Sequence, residues 1–262
     1  MRSIWEGAIS FGLINIPVRL YTASRERKLA FHYVHKGDFC PIKYLKICKT
    51  TGKEIPYEEI VRGFEYEKGN FVILEDKDFE KADVKKSHLI DVFQFVEEKE
   101  IDPIYLEKPY YLEPQNSARK AFVLLREALK KTKKVGIAKF VLRTREYLAM
   151  VRANDDFIIL NQMRYADEIV NPKDLILPGV EMLQKRELEI AIKLIDQLSD
   201  KFVITNYHDT YTEALEKIIA AKVKGEVPKA HGKMPVPVTE MEDIIEKLKL
   251  SLKHAQKHKQ LH

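Results

Sequence analysis

Cysteine is almost missing from this chain. Cys40 and Cys48 are the only two in 262 residues. A disulfide framework is thereby excluded, and a reducing cytosol becomes the default setting. No apolar run approaches the roughly 18 residues that a membrane span needs. The opening Met-Arg-Ser-Ile-Trp-Glu has no apolar core of the kind that marks a secretory leader. The expectation is a cytoplasmic protein with no membrane partner. The phosphate-cradling G-x-x-x-x-G-K-[ST] and G-x-G-x-x-G loops are absent, as are the H-E-x-x-H zinc helix and the G-x-S-x-G nucleophile turn. The histidines are scattered, and only His208 has an adjacent acid, Asp209, which reads as a helix cap. With no catalytic or cofactor motif, the chain reads as a binding protein without a cofactor.

What the chain has is segregated charge. The whole sequence carries +5, yet residues 119–145 hold ten basic residues against one acid, Glu127. Residues 54–83 are the counterweight, with ten acids against four bases. Positive charge concentrated on one unit and balanced elsewhere suits a polyanion met at one place. Lysines on a solvated helix face are the plainer account.

The patterning is mainly β at first. Residues 8–21 read as two strands or one bent strand, with Pro17 at an edge or bulge. Phe31–His35 and Ile42–Ile47 read as two more strands. Gly69-Asn70 marks a hairpin turn, Asp76–Asp83 a short helix and Leu89–Val96 a strand. Pro103, Pro109 and Pro114 punctuate the next stretch, which reads as an extended arm rather than a compact meander. Ala118, Ala121, Phe122, Leu125 and Leu129 recur at helical spacing, and Gly136 is expected to end that helix. Strands at Ile137–Leu142 and Tyr147–Val151 follow, then one at Phe157–Leu160. Lys139, Arg143 and Arg145 share parity, so one regular strand would set them on one face about 7 Å apart. Beyond Pro172 the pattern turns helical, with helices at Glu181–Leu198 and from Thr210 to about Val223.

His35, Cys40 and Cys48 are the candidate metal ligands. A structural zinc site wants four N or S donors, often as a C-x-x-C pair, and Thr51 stands where the partner of Cys48 would be. The expectation is therefore no metal.

IWEGAISFGLINIPVRLY, FHYVHK, PYEEIVRGFEYEKGNFVIL, IDPIYLEKPYYLEP, AKFVLRTREYLAMVRA and MRYADEI run collinear from residue 2 to about 224. Together these blocks resemble the bacterial Ku family. The resemblance implies a mixed α+β, mainly β fold: a β-barrel core with an extended bridge or arm forming a homodimeric ring, plus a C-terminal helical region. It maps to a barrel core over 1–175 with the DNA-encircling bridge at about 97–165, helices over 176–224, a linker over 225–237, and a last helix and short basic tail over 238–262. It implies sequence-independent binding of double-stranded DNA ends in non-homologous end joining, without enzymatic activity, and recruitment of an ATP-dependent DNA ligase. Lys130, Lys131, Lys133, Lys134, Lys139, Arg143 and Arg145 would line the channel, with Arg19, Arg25, Arg27 and Arg62 as further candidates. A β-barrel RNA-binding protein and a metal-dependent nuclease built on the 54–83 carboxylates are the competing readings.

Overall fold

The structure, a computed structural model, describes residues 1–27, 29–82, 88–143, 145–179, 181 and 183–226. The expected C-terminal helix and tail, and all of the expected linker beyond residue 226, lie outside the described residues. Two compact units are resolved, Met1–Asn171 and Pro172–His262.

The first unit is organised by β1 (Trp5–Phe11) and β2 (Ile14–Thr22), a hairpin whose turn uses the left-handed backbone of Gly12 at φ +59°. An excursion carries β3 (Arg62–Glu67), β4 (Asn70–Leu74) and helix α1 (Asp76–Ala82). The chain returns with β5 (Leu89–Glu97), β6 (Leu106–Pro114) and helix α2 (Arg119–Thr132). It ends in the meander β7 (Lys134–Leu142), β8 (Arg145–Asn154) and β9 (Phe157–Met163). Seven strands close a barrel in the order β1-β2-β6-β9-β8-β7-β5, and β5 runs parallel to β1 at the closure. Alternation explains the interior: Ile16, Val18 and Leu20 of β2 point in, as do Ala138 and Phe140 of β7 and Ile158 and Leu160 of β9. α2 adds Phe122, Leu125 and Leu129 to this cluster from one side of its turn. A second apolar cluster, with Val135, Met150 and Met163 at its centre, lies on the opposite parity of the same strands.

Several expectations change. The stretch 97–165 is not an arm: four barrel strands and α2 occupy most of it. Its prolines misled, because Pro109 sits where the β6–β9 register shifts and Pro114 ends its strand, two places where a missing N–H is tolerated. Phe31–His35 and Ile42–Ile47 form only isolated bridges, Val34 to Pro41 and Ile47 to Glu54. α2 ends at Thr132, where Lys133 turns left-handed at φ +54°. Gly136 lies inside β7 instead, where a side chain would meet Val92 at 2.8 Å and Phe95 at 3.2 Å. The segment that does leave the barrel is 24–82. None of its described residues is buried, and its β3–β4 hairpin is exposed on both faces.

The second unit holds α3 (Lys185–Leu198) and α4 (Thr210–Val223). Asp209 caps α4, its carboxylate accepting the Thr212 N–H at 3.0 Å.

Candidate nucleic-acid interface

The basic unit is built around β7. Lys130 and Lys131 close α2, where the helix carbonyl end favours cations. Lys133 reverses the chain in a single residue and Lys134 opens the strand. Lys130, Lys133 and Lys134 thereby come together with Arg152 in one groove of about 570 Å³. Glu97 and Glu98 share that groove, but they are engaged by Lys99 at 2.7 Å and Arg152 at 3.9 Å. Lys130 lies 3.8 Å from Glu127. Lys131, Lys133 and Lys134 have no acid within 4.0 Å among the described residues.

The expected row of Lys139, Arg143 and Arg145 on one face does not form. β7 ends at Leu142, Arg143 occupies the turn at φ +62°, and Arg145 begins the next strand. Lys139 stands on the outer wall, where its ammonium donates to Glu146 Oε1 at 2.9 Å. That hydrogen bond and the carboxylate charge raise the lysine pKa. Arg145 has the parity of the interior residues Tyr147 and Ala149 and stands at the barrel rim. It donates to Glu168 at 3.2 Å and lies 5.4 Å over the Tyr147 ring. Arg143 and Arg145 line a cavity of about 970 Å³ at this rim, together with Arg2, Tyr110, Tyr147 and Gln162. Arg143 likewise has no acid within 4.0 Å among the described residues. The cations are thus spread along the whole of β7. Its nine residues extend about 27 Å, the axial length of about eight base pairs.

Comparison with known proteins now adds to this geometry. Residues 10–190 match the Ku70/Ku80 β-barrel domain. The non-homologous end joining protein Ku of Opitutus terrae is 41% identical over 238 residues, 90% of this chain and 85% of that protein. The protein of the same name from Archaeoglobus fulgidus is 39% identical over 256 residues, 96% of this chain and 98% of that protein. The one from Bacillus subtilis is 36% identical over 258 residues, 96% and 82% respectively.

This chain belongs to the Ku family. In this Ku chain the remaining candidates stand apart from β7. Arg19, on β2, is paired with Glu6 at 3.0 Å. Arg62 lies 4.0 Å from Asp76 and stacks over the Phe79 ring at 5.0 Å, outside the barrel. Arg25 and Arg27 follow β2, where the chain leaves the barrel wall. Of the metal candidates, His35 and Cys40 come together, but with Asp38 rather than Cys48. The Cys48 thiol is instead lowered to about 7 by the Thr51 hydroxyl and by the N–H groups of Thr51 and Thr50. Arg152 and Arg2 escaped the sequence reading. Arg152 had a signal: it lies at the end of a strand antiparallel to β7, opposite the lysines, once that register is drawn.

Proposed function

We propose that this chain is a non-catalytic clamp on the ends of double-stranded DNA in non-homologous end joining. Two copies form the ring, and the held ends are passed to an ATP-dependent DNA ligase. The observation that carries the DNA reading is uncompensated charge on a Ku-family barrel. Lys131, Lys133, Lys134 and Arg143 have no acid within 4.0 Å among the described residues and flank or open a strand about 27 Å long. Phosphate contacts of this kind position a duplex without reading its sequence, as an end-joining protein requires. Lys139, Arg145 and Lys130 are secondary, because each already has an acid within 4.0 Å.

The second copy is supported by the excursion 24–82. Phe64, Tyr66, Phe71 and Ile73 are each about 60% exposed on a hairpin that has no core of its own. Apolar surface of this extent marks a protein contact. It lies in the acidic segment, which repels phosphates, so a second copy suits it better than nucleic acid. The arm of the ring is accordingly assigned to 24–82 rather than 97–165. In the second unit, α3 exposes Leu188, Ile192 and Ile195 at one-face spacing, a surface suited to the ligase. Among the described residues no helix is long and apolar enough to cross a membrane.

The RNA reading fares worse. Tyr110 is buried with its hydroxyl on Gln162, and Tyr111 packs on Phe157 at 5.4 Å, so neither offers a stacking face. The nuclease reading gains nothing, since no carboxylates of 54–82 gather at metal-binding distance among the described residues. Competition between a blunt duplex, its single strands and an RNA hairpin of equal length tests the assignment. The duplex should win by at least about tenfold, as paired phosphate rails demand. Equal competition by RNA would refute it.

A further inference from the structure

The hairpin at residues 33–42 poses a problem of stability. It has no buried residue, and its two sides are joined by the single Val34–Pro41 bridge, with backbone bonds on either side of it such as the Ile42 N–H to Tyr33 carbonyl bond of 3.2 Å. Small units without a core are ordinarily held by a disulfide or a metal. Its loop is nonetheless tightly specified. The His35 N–H donates to the Cys40 carbonyl and the Phe39 N–H to the His35 carbonyl, both at 2.9 Å. Phe39 adopts a left-handed φ of +57°, a conformation costly for a residue with a bulky side chain. The result is that three side chains of different chemistry converge. The ligand atoms of His35, Asp38 and Cys40 all lie within 4.8 Å of one another.

We propose that His35 Nδ1, an Asp38 carboxylate oxygen and Cys40 Sγ form a binding site for a divalent transition metal of zinc type, which staples this hairpin. The donor set is right for it: one imidazole, one thiolate and one carboxylate, with water completing a tetrahedron. The carboxylate is already the meeting point. His35 Nδ1 lies 2.7 Å from Asp38 Oδ1, and the Cys40 N–H donates to the same oxygen at 3.2 Å. A cation would take the place now held by the hydrogen between imidazole and carboxylate. On binding, the Cys40 thiol gives its proton to solvent, and the neutral imidazole presents Nδ1 while keeping its hydrogen on Nε2. No oxidant or reductant is involved. Gly37 leaves the room this needs: a Cβ there would stand 3.1 Å from His35 Cε1 and 3.6 Å from Nδ1. Cys48 belongs to a separate turn, where the Thr51 and Thr50 groups already stabilise its sulfur.

The test is titration of the chelator-washed, full-length protein with Co²⁺, followed through the thiolate-to-cobalt charge-transfer band, then displacement by Zn²⁺. One ion per chain and a band kept in Cys48→Ser but lost in Cys40→Ser are the expected results. His35→Ala and Gly37→Ala should each weaken binding by about tenfold or more, within the range seen when a metal's immediate surroundings are altered. Proteolysis within 29–60 should slow on adding Zn²⁺ to the wild-type protein but not to Cys40→Ser. A band that survives Cys40→Ser, or no binding at micromolar metal, would overturn the proposal. Both outcomes leave the DNA reading untouched, because the site uses none of the β7 cations.

Discussion

Replacing Lys133 and Lys134 by Gln should change how DNA affinity depends on salt more than it changes anything else. Neither lysine has an acid within 4.0 Å among the described residues, so each is free to displace counterions from the duplex. Each phosphate neutralised contributes about 0.9 to the slope of log affinity against log salt. In the proposed homodimer the double substitution removes four cations, for a ceiling of about 3.6 slope units. Between about 50 and about 200 mM salt, such a change alters the wild-type-to-variant affinity ratio by about a hundredfold. Lys139→Gln is the internal comparison. Its ammonium is engaged by Glu146 at 2.9 Å, so the slope should fall by clearly less per residue removed. Fluorescence anisotropy on a blunt duplex over a salt series measures both. The reasoning is refuted if Lys139→Gln flattens the slope as much per residue as the lysine pair does, or if the pair leaves it unchanged.

Other outcomes can be checked separately. Phe64→Ser with Phe71→Ser should yield a monomer at micromolar concentration in sedimentation velocity, with barrel stability unaltered; a persistent dimer would place the contact elsewhere. Phe140→Ala empties the barrel interior and should cost about 3–5 kcal/mol in denaturant unfolding, whereas Leu13→Ala in an exposed turn should be close to neutral. Gly136→Ala forces a methyl against Val92 at 2.8 Å and should cost about 1–3 kcal/mol. Alkylation of Cys48 should rise with pH about a midpoint near 7, because hydrogen bonds from Thr51 and Thr50 favour the thiolate. Thr51→Ala, which removes the largest of them, should move the midpoint upward toward the free-thiol value of about 8.5.

Strands whose polar–apolar alternation faces one core were legible in the sequence. β2, β5 and the β3–β4 hairpin at Gly69-Asn70 fall where period and turn residues put them, as do the apolar stripe of α2 and the start of α4. The errors share a cause. Proline predicts a break in pairing, yet Pro109 and Pro114 sit at a register shift and a strand end, where the ladder needs no donor from them. Alternation at Phe31–His35 predicts a strand, but among the described residues nothing buries its apolar side. The clustering of basic residues over 119–145 is visible in the sequence, while their facing is not. A turn at Arg143 separates Lys139 from Arg145, and strand parity cannot be carried across a reversal. Ion pairing was invisible for the same reason: Glu146 and Glu168 reach their partners only through the β-ladder and the chain beyond it. The approach of Asp38 to His35 and Cys40 has no sequence signal, because it is set by loop hydrogen bonds, which carry no periodicity.

The central claim is that this protein holds duplex DNA by its ends. Equilibrium binding to one duplex sequence, presented as a linear fragment and as a nick-free minicircle, tests it most directly. The linear form should bind at least about tenfold tighter at about 150 mM salt, where nonspecific phosphate binding is weak. Cutting the circle once should restore full affinity. Equal affinity for the sealed circle and the linear fragment would contradict the account.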